Sequence, residues 1–569
     1  MIAVEVLKFG SSVLRSADDL PVAVDEIYRR WRSGCRVLAV VSAFEGVTDE
    51  LMRRVSNVVG TSCPASTAAY VATGEQQVAA LLLGSLQTFG IPSRIIEPRD
   101  IRLRAEGTFT ESTPMEADIS ALDRLWASYA VLILPGFYGV DSEGRTVLFG
   151  RGGSDLSALF LAATLRAECR LLKDVGGVFD ADPASSTSAH RFSALSWETA
   201  VKVAGPLIQS KALRYAQQQE LAFEVGRPNE TTCTRVGHTR DEWAPPVAPA
   251  GPLGVALIGC GTVGRGVYES IRRYRAGFEL QHVVVRYAER YRDIEKITTD
   301  SSVISDPSVD IVIVCATASP AIHPLLVAAL GAGKYVITAN KAAVAEHGPT
   351  LIGHGREKGR RLWYSAAVGG AMPALETLLR LHRPVREIRG IINGTCGAVL
   401  DAWASGKTRQ DAIIEVQAAG FAEADPSRDL SGRDSVDKLV LMTATAFGHW
   451  LSPGEVAVRG LDTIGGDPSG IKLIARATQT PEGIRTSVAP ERPTANSFLG
   501  QARGAENRLE IELDTGEVIQ LRGQGAGRWP TTASIMGDLH EVARSNEATR
   551  HISMTHRDRP AVWFIPSES

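Results

Sequence analysis

GVALIGCGTVGRGVYESI, residues 254–271, reads as a buried strand, a glycine turn and a helix in immediate succession. Gly259, Gly261 and Gly264 stand at G-x-G-x-x-G spacing. That spacing alone is a weak signal. The strand before it and the helix after it are the context a dinucleotide site requires. The neighbouring strand, LQHVVVRYAERYR (280–292), lacks an acid at its end and closes on Arg286, with Arg290 nearby. An acid there holds a ribose 2′-hydroxyl, whereas an arginine suits a 2′-phosphate. NADP(H) is the expected cofactor, with NAD(H) as the alternative. The plain reading of Arg286 is a solvated strand-end charge.

Two more strands follow. DPSVDIVIVCATAS (306–319) runs into a loop of small residues, and GKYVITANKAAVAEHG (333–348) places Lys341 just past a strand end. Ligands of parallel sheets bind at the carboxyl ends of strands. Further on, GFAEADPSRDLSGRDSVDKL (420–439) gathers Glu423, Asp425, Asp429, Asp434 and Asp437, and sets Lys438 four residues after Asp434. On a helix that spacing puts both groups on one face. Pro426 and Gly432 keep a helix from covering the first half, so Glu423 and Asp429 are expected on a loop. The apolar run after it, VLMTATAF, predicts a core helix. A solvated acidic loop is the bland alternative.

Before residue 254 the pattern also alternates. VEVLKFG, CRVLAVVSAF, PSRIIEP and YAVLILPGF read as strands, with a helix through VAVDEIYRRWR. This βαβα order argues for a parallel sheet with helices on its faces. Three polar loops fall at strand ends: Lys8 to Ser12 with Gly10, Ser42 with Thr48, and FGRGGSDLSA (149–158). The last opens a helix at Ser154 and Asp155 behind Gly150, Gly152 and Gly153, a natural phosphate site. An N-capped turn is the plainer reading. KDVGGVFDADP (173–183) reads as strand, Gly-Gly turn and acidic loop.

The 569 residues suggest three or four domains. Hydrophobic content of 44% and charged content of 22% are those of a soluble globular chain. A net charge of −3 gives no footprint for nucleic acid or an anionic membrane. Seven scattered cysteines without a CxxC pair point to reduced thiols and a cytoplasmic setting rather than disulfides or structural zinc. Neither a secretory leader nor a membrane-spanning run is evident.

The blocks of the first part, in their order over residues 1–232, resemble the catalytic domain of aspartokinases within the amino-acid kinase family. The resemblance implies that Lys8, beside Gly10, neutralises the transferred phosphoryl group of Mg-ATP. It implies that Ser42, Thr48, Glu75 and Arg151 hold aspartate. Gly153, Ser154 and Asp155 belong to the same block, and Asp174 and Asp182 to the loop on the nucleotide side. There are departures. Ser11 replaces a glycine, Lys173 a threonine and Gly176 an aspartate, and GPLIQSKAL (205–213) has lost a lysine and a histidine.

The second part, over 253–545, closely resembles homoserine dehydrogenases, with RLWYSAAVGGAMP (361–373), IRGIINGTCGAVLDAW (388–403) and GQGAGRWPTTASIMGDL (523–539) as further matching blocks. This implies interconversion of aspartate 4-semialdehyde and homoserine on the route to threonine and methionine. Gly259, Gly261, Thr262, Val263, Gly264, Arg286, Thr317, Lys341 and Gly525 would hold the cofactor. Glu423 would take the substrate ammonium, with Asp429 and Asp434 fixing its hydroxyl. Lys438 would be the acid/base, oriented by Asp434 and assisted by Lys341. Asp425 and Asp437 are expected to be structural or solvated. Ser365 stands where many members have a cation-binding glutamate, so no metal ligand is assigned.

The expected plan is α/β. An amino-acid-kinase-like parallel-sheet domain occupies 1–232 and a Pro-rich linker 233–252. A Rossmann domain follows over 253–370, then an α+β substrate domain over 371–545, whose end returns to the nucleotide domain, and a tail over 546–569. The linker leaves no room for an ACT regulatory module. The resemblance implies a homodimer or higher homo-oligomer. The alternative to a bifunctional enzyme is a homoserine dehydrogenase with a catalytically silent kinase-like domain.

Overall fold

The computed structural model describes residues 3–60, 63–186, 188–205, 207–245, 251–273 and 277–554, with the backbone alone at Val59 and over 546–554. The chain divides into two compact units, with the division after Ala250.

In the first unit nine strands form one sheet. From Phe223–Gly226 through Glu168–Leu172, Val4–Phe9, Arg36–Val41 and Val131–Pro135 to Ser93–Ile95, every pairing is parallel. The central strands are almost wholly buried, as expected where helices cover both faces. The sheet is not parallel throughout. Phe223–Gly226 turns back antiparallel into Cys233–Gly237, and Glu242–Trp243 adds an antiparallel edge to Phe192–Ser196. The expected linker therefore begins too early at residue 233. Val236 is fully buried, and Trp243 stacks on Phe192 at 3.9 Å. Only residues 246–250 of that stretch lie outside the described residues. The strand expected at Lys173 ends at Leu172.

In the second unit, Leu253–Ile258 is central to a six-stranded sheet paired in parallel throughout. Alternate residues face opposite sides. Val255 and Leu257 pack with Val267 and Ile271 of the helix Thr262–Arg273 and with Ile535, Leu539 and Val542 of the helix Arg528–Met554. Ala256 and Ile258 pack with Leu326 and Leu330 of the helix Ile322–Gly331. The last described helix thus lies on the nucleotide-binding layer. It runs through the expected boundary at 545, and residues 555–569 lie outside the described residues.

A second six-stranded sheet is built around Val385–Ile391 and Lys472–Thr480. The helix Arg433–Phe447 packs on it and on the helix Lys341–Glu357. Its N-terminus follows Gly432, whose φ of +81° is available to glycine at little cost.

Candidate active site

The glycines of 259–264 have distinct steric reasons. Gly259 has φ +89°, and a Cβ there would meet the Ala316 backbone at 2.8 Å. A Cβ on Gly264 would lie 1.9 Å from the Gly259 carbonyl oxygen. A Cβ on Gly261 would meet nothing within 4 Å, so this backbone faces open space at the helix N-terminus. That is a turn able to receive a pyrophosphate. Gly264→Ala must open the turn, and a loss of dinucleotide affinity of about tenfold or more, ~1.4 kcal/mol, is expected in a fluorescence titration with NADPH. Thr262 and Val263 begin the helix on this turn. Arg286 is exposed two residues past the strand Phe278–Val284, and Thr317 is exposed in the loop after Ile311–Val314. Gly525 lies against Asn507, whose amide a Cβ would meet at 1.6 Å.

Lys341 is the first residue of the helix Lys341–Glu357, with Asn340 as its N-cap. Asp434 and Lys438 sit one turn apart at the start of Arg433–Phe447. Their meeting point is the Asp434 carboxylate. Oδ1 pairs with Lys341 Nζ at 2.9 Å and Oδ2 with Lys438 Nζ at 2.8 Å. Lys438 also donates to the Ile392 carbonyl at 2.8 Å and is 5% exposed, while the Lys341 side chain is 34% exposed. Burial would push the Asp434 carboxyl up, but the Lys438 and Lys341 ammoniums together hold it well below the usual carboxylate range. In return Asp434, against burial, raises the Lys341 ammonium. Burial, then repulsion from Asp434, raises Asp429.

Asn393 is the group sequence reading missed. Its Nδ2 donates to Asp429 Oδ1 at 2.7 Å and to Asp434 Oδ2 at 2.8 Å, while its Oδ1 caps the helix Gly394–Ala404 through Cys396 N–H. The signal was the Asn-Gly-Thr that ends the strand-like IRGII run, where an N-cap is favoured. Asp429 sits on the short helix Ser427–Leu430 rather than a loop, because Pro426 can precede a helical turn though not interrupt one. Glu423 is exposed and its carboxylate joins none of these groups. Asp437 is buried and paired with Arg428 at 2.6 Å; Asp425 caps Ser427 N–H on the surface.

The first unit holds a parallel arrangement. Lys8, on Val4–Phe9, and Lys173, past Glu168–Leu172, both pair with Asp155, at 2.8 and 2.9 Å. All three are buried. Burial lowers the Lys8 ammonium to about 8 despite Asp155. Asp155, which burial alone would raise, is brought to about 2 by Lys173 and Lys8. A Cβ on Gly10 would lie 2.8 Å from Lys8 Nζ. Asp155 and Ser154 lie in the first turn of Gly153–Leu165, behind Gly152 at φ +74°. Glu75 is 2% exposed, accepts from Ala43 N–H at 3.1 Å, and is raised by burial to about 7. Ser42 follows the neighbouring strand, its N–H donating to Phe9, and Thr48 opens the helix Val47–Val59. Other expected residues are not drawn in. Arg151 and Asp174 are exposed, and Asp182 caps Ala184 N–H in an exposed turn. No group of three His, Cys, Asp or Glu among the described residues could hold a metal ion, and no described helix is long and apolar enough to cross a membrane.

Comparison with known proteins agrees with both halves. Residues 3–218 match the amino acid kinase family. Residues 259–365 match the homoserine dehydrogenase NAD-binding domain, and 373–540 match homoserine dehydrogenase itself. The chain is 32% identical over 317 residues to a homoserine dehydrogenase of Pseudomonas aeruginosa, covering 52% of this chain and 73% of that protein. It is 31% identical to that of Corynebacterium glutamicum, over 53% and 74% of the two chains. A solved homoserine dehydrogenase from Thiobacillus denitrificans superposes with a TM-score of 0.51 at 29% identity, covering 53% of this chain and 75% of its own. A nicotinamide-binding oxidoreductase half thus follows an amino acid kinase domain with its ATP site. The chain belongs to the homoserine dehydrogenase family and carries an amino acid kinase domain ahead of its NAD-binding domain.

Proposed function

We propose that the second unit interconverts L-aspartate 4-semialdehyde and L-homoserine with NADP(H), through Lys438 as acid/base. The observation that carries this is Asp434 shared between Lys341 and Lys438. The nicotinamide cofactor, when bound at the 259–264 turn, supplies the hydride. The chain supplies the proton and the charge. A carbonyl under reduction develops negative charge on oxygen, which a positioned ammonium stabilises and then protonates. Lys438 spends two of its three N–H donors on Asp434 and Ile392, leaving one for that oxygen. Lys341, held through the same carboxylate, adds a second positive charge. Asn393 keeps Asp429 and Asp434 in place, and Asp429 accepts from the substrate hydroxyl. Glu423, exposed and unengaged, takes the substrate ammonium. NADPH oxidation with aspartate semialdehyde tests the reading; no oxidation with either nicotinamide would sink it.

Arg286 supports the phosphorylated cofactor, being exposed at the strand end without an ion pair among the described residues. Arg286→Asp is expected to raise KM for NADPH about tenfold and to leave or improve that for NADH. An unchanged ratio of the two would remove Arg286 from cofactor choice.

For the first unit, the reading is phosphorylation of L-aspartate by Mg-ATP. Phosphoryl transfer needs positioning and charge neutralisation, and Lys8 and Lys173 bring two buried ammoniums to the single Asp155 carboxylate. Glu75 takes the aspartate ammonium only when ionised. With its value near 7, KM for aspartate should fall as pH rises from 6 to 8, and Glu75→Gln should flatten that limb. A silent domain is the second reading, favoured by the outlying positions of Arg151, Asp174 and Asp182. ADP release with L-aspartate at saturating Mg-ATP separates the two. The two reactions flank a reduction of the acyl phosphate that neither site performs, so direct transfer between them is not implied.

A further inference from the structure

We propose that the second unit carries an effector pocket for a small carboxylate with an apolar body, remote from the catalytic cluster. A cavity of about 610 Å³ lies where three helices end: Lys341–Glu357, Ala374–Arg380 and Arg433–Phe447. Its volume is that of an ordinary small-molecule site. Four arginines, Arg356, Arg360, Arg361 and Arg383, line it, and no acidic side chain among the described residues does. Three helix C-termini contribute roughly half a negative charge each, which four guanidiniums exceed. Arg356 and Arg383 make no ion pair among the described residues. The rest of the wall is largely aliphatic and aromatic, with Leu378 and Phe447 among it.

Trp363 also lines the cavity, 8% exposed, with the Arg361 guanidinium 4.1 Å from its ring centroid. The polar groups on offer are thus mostly donors, several of them charged, set in apolar walls. An amine is disfavoured by charge, and a neutral apolar molecule leaves the donors unmet.

Two of the three helices run from this cavity to the catalytic cluster. Lys341 begins the helix that ends at Arg356 and Glu357, and Asp434 and Lys438 begin the one that ends at Phe447. At 1.5 Å per residue the separations are about 14–24 Å. The two helices pack on each other, so a ligand that wedges or tightens their shared end can move Lys341 relative to the Asp434–Lys438 pair.

The test is calorimetric titration of the full-length protein with octanoate, using 1-octanol and octylamine as controls. Octanoate is expected to bind, 1-octanol at least tenfold more weakly, and octylamine not at all. Arg356→Glu with Arg383→Glu should weaken octanoate ten- to hundredfold, the range for losing one or two charge-assisted hydrogen bonds. Leu378→Trp should block it by filling the space. Equal binding of 1-octanol, or octanoate binding untouched by the charge reversal, would overturn the site. So would absence of octanoate binding together with loss of an oligomer in sedimentation of the reversed variant, which would make this face a contact between copies. These binding arms stand whatever reaction the unit catalyses. The effector role rests on the dehydrogenase reading: bound octanoate should shift dehydrogenase KM or kcat at least twofold, and unaltered kinetics at full occupancy would overturn that role.

Discussion

Lys438→Ala is expected to lower dehydrogenase kcat by about 10²–10⁴ while the second unit stays folded. The reason it should fold lies in the sharing of Asp434. Without Lys438 that carboxylate keeps Lys341 at 2.9 Å and Asn393 at 2.8 Å, so no charge is left buried alone. The stability cost is then mainly that of a small cavity and an unpaired Ile392 carbonyl. The catalytic cost is larger, because the remaining ammonium, Lys341, is anchored on a different helix and approaches Asp434 through the other oxygen. Circular dichroism and the unfolding midpoint establish folding, and steady-state kinetics with aspartate semialdehyde reads the loss. A kcat within about tenfold of the parent, a barrier change of only ~1.4 kcal/mol, would show that Lys438 is not the proton donor. Lys341→Ala should cost less; the opposite ranking would move the proton to Lys341.

Asp155→Ala should act differently, damaging stability as well as phosphoryl transfer. It strands Lys8 and Lys173, both buried, with no other carboxylate among the described residues paired to either. Removing one partner of a buried ion cluster typically costs about 3–5 kcal/mol, which in a unit of this size corresponds to a fall of about 10 °C in Tm. The companion variant, Lys8→Met with Asp155→Leu and Lys173→Met, removes all three charges. It should recover most of the stability, since a well-packed apolar replacement of a buried ion cluster is often neutral or better, but none of the kinase activity. An unshifted midpoint for Asp155→Ala would mean that water reaches these ammoniums. The pH dependence has a definite sign. Asp155 sits near 2 in the folded chain, below the usual carboxylate value, so its contribution to stability is present above about pH 4 and lost as pH falls toward 2.

The double pairing of one carboxylate by two lysines occurs in both units, on unrelated sheets. In each, the carboxylate lies in the first turn of a helix, where the helix dipole also favours it. One lysine of each pair stood out in the sequence by position: Lys8 and Lys341 follow or end strands. Lys173 registered only as a departure from the aspartokinase pattern, although the structure gives it the same partner as Lys8.

Local chemistry determined a good deal of this protein. Glycine spacing between an apolar strand and an amphipathic helix fixed the dinucleotide turn, since only glycine relieves the contacts at Gly259 and Gly264. The i, i+4 spacing fixed the Asp434–Lys438 pair, because helical geometry alone brings them together. Tertiary structure decided what lies far apart in the chain. Lys341 reaches Asp434 across 93 positions because two helices start at one place. Asn393 joins Asp429 to Asp434 because its strand ends beneath them. The first sheet extends past residue 232 because Arg235–Gly237 pairs in parallel with Ala194–Ser196 and Trp243 then stacks on Phe192. Each of these is settled by non-local packing, which no periodicity within a short window records.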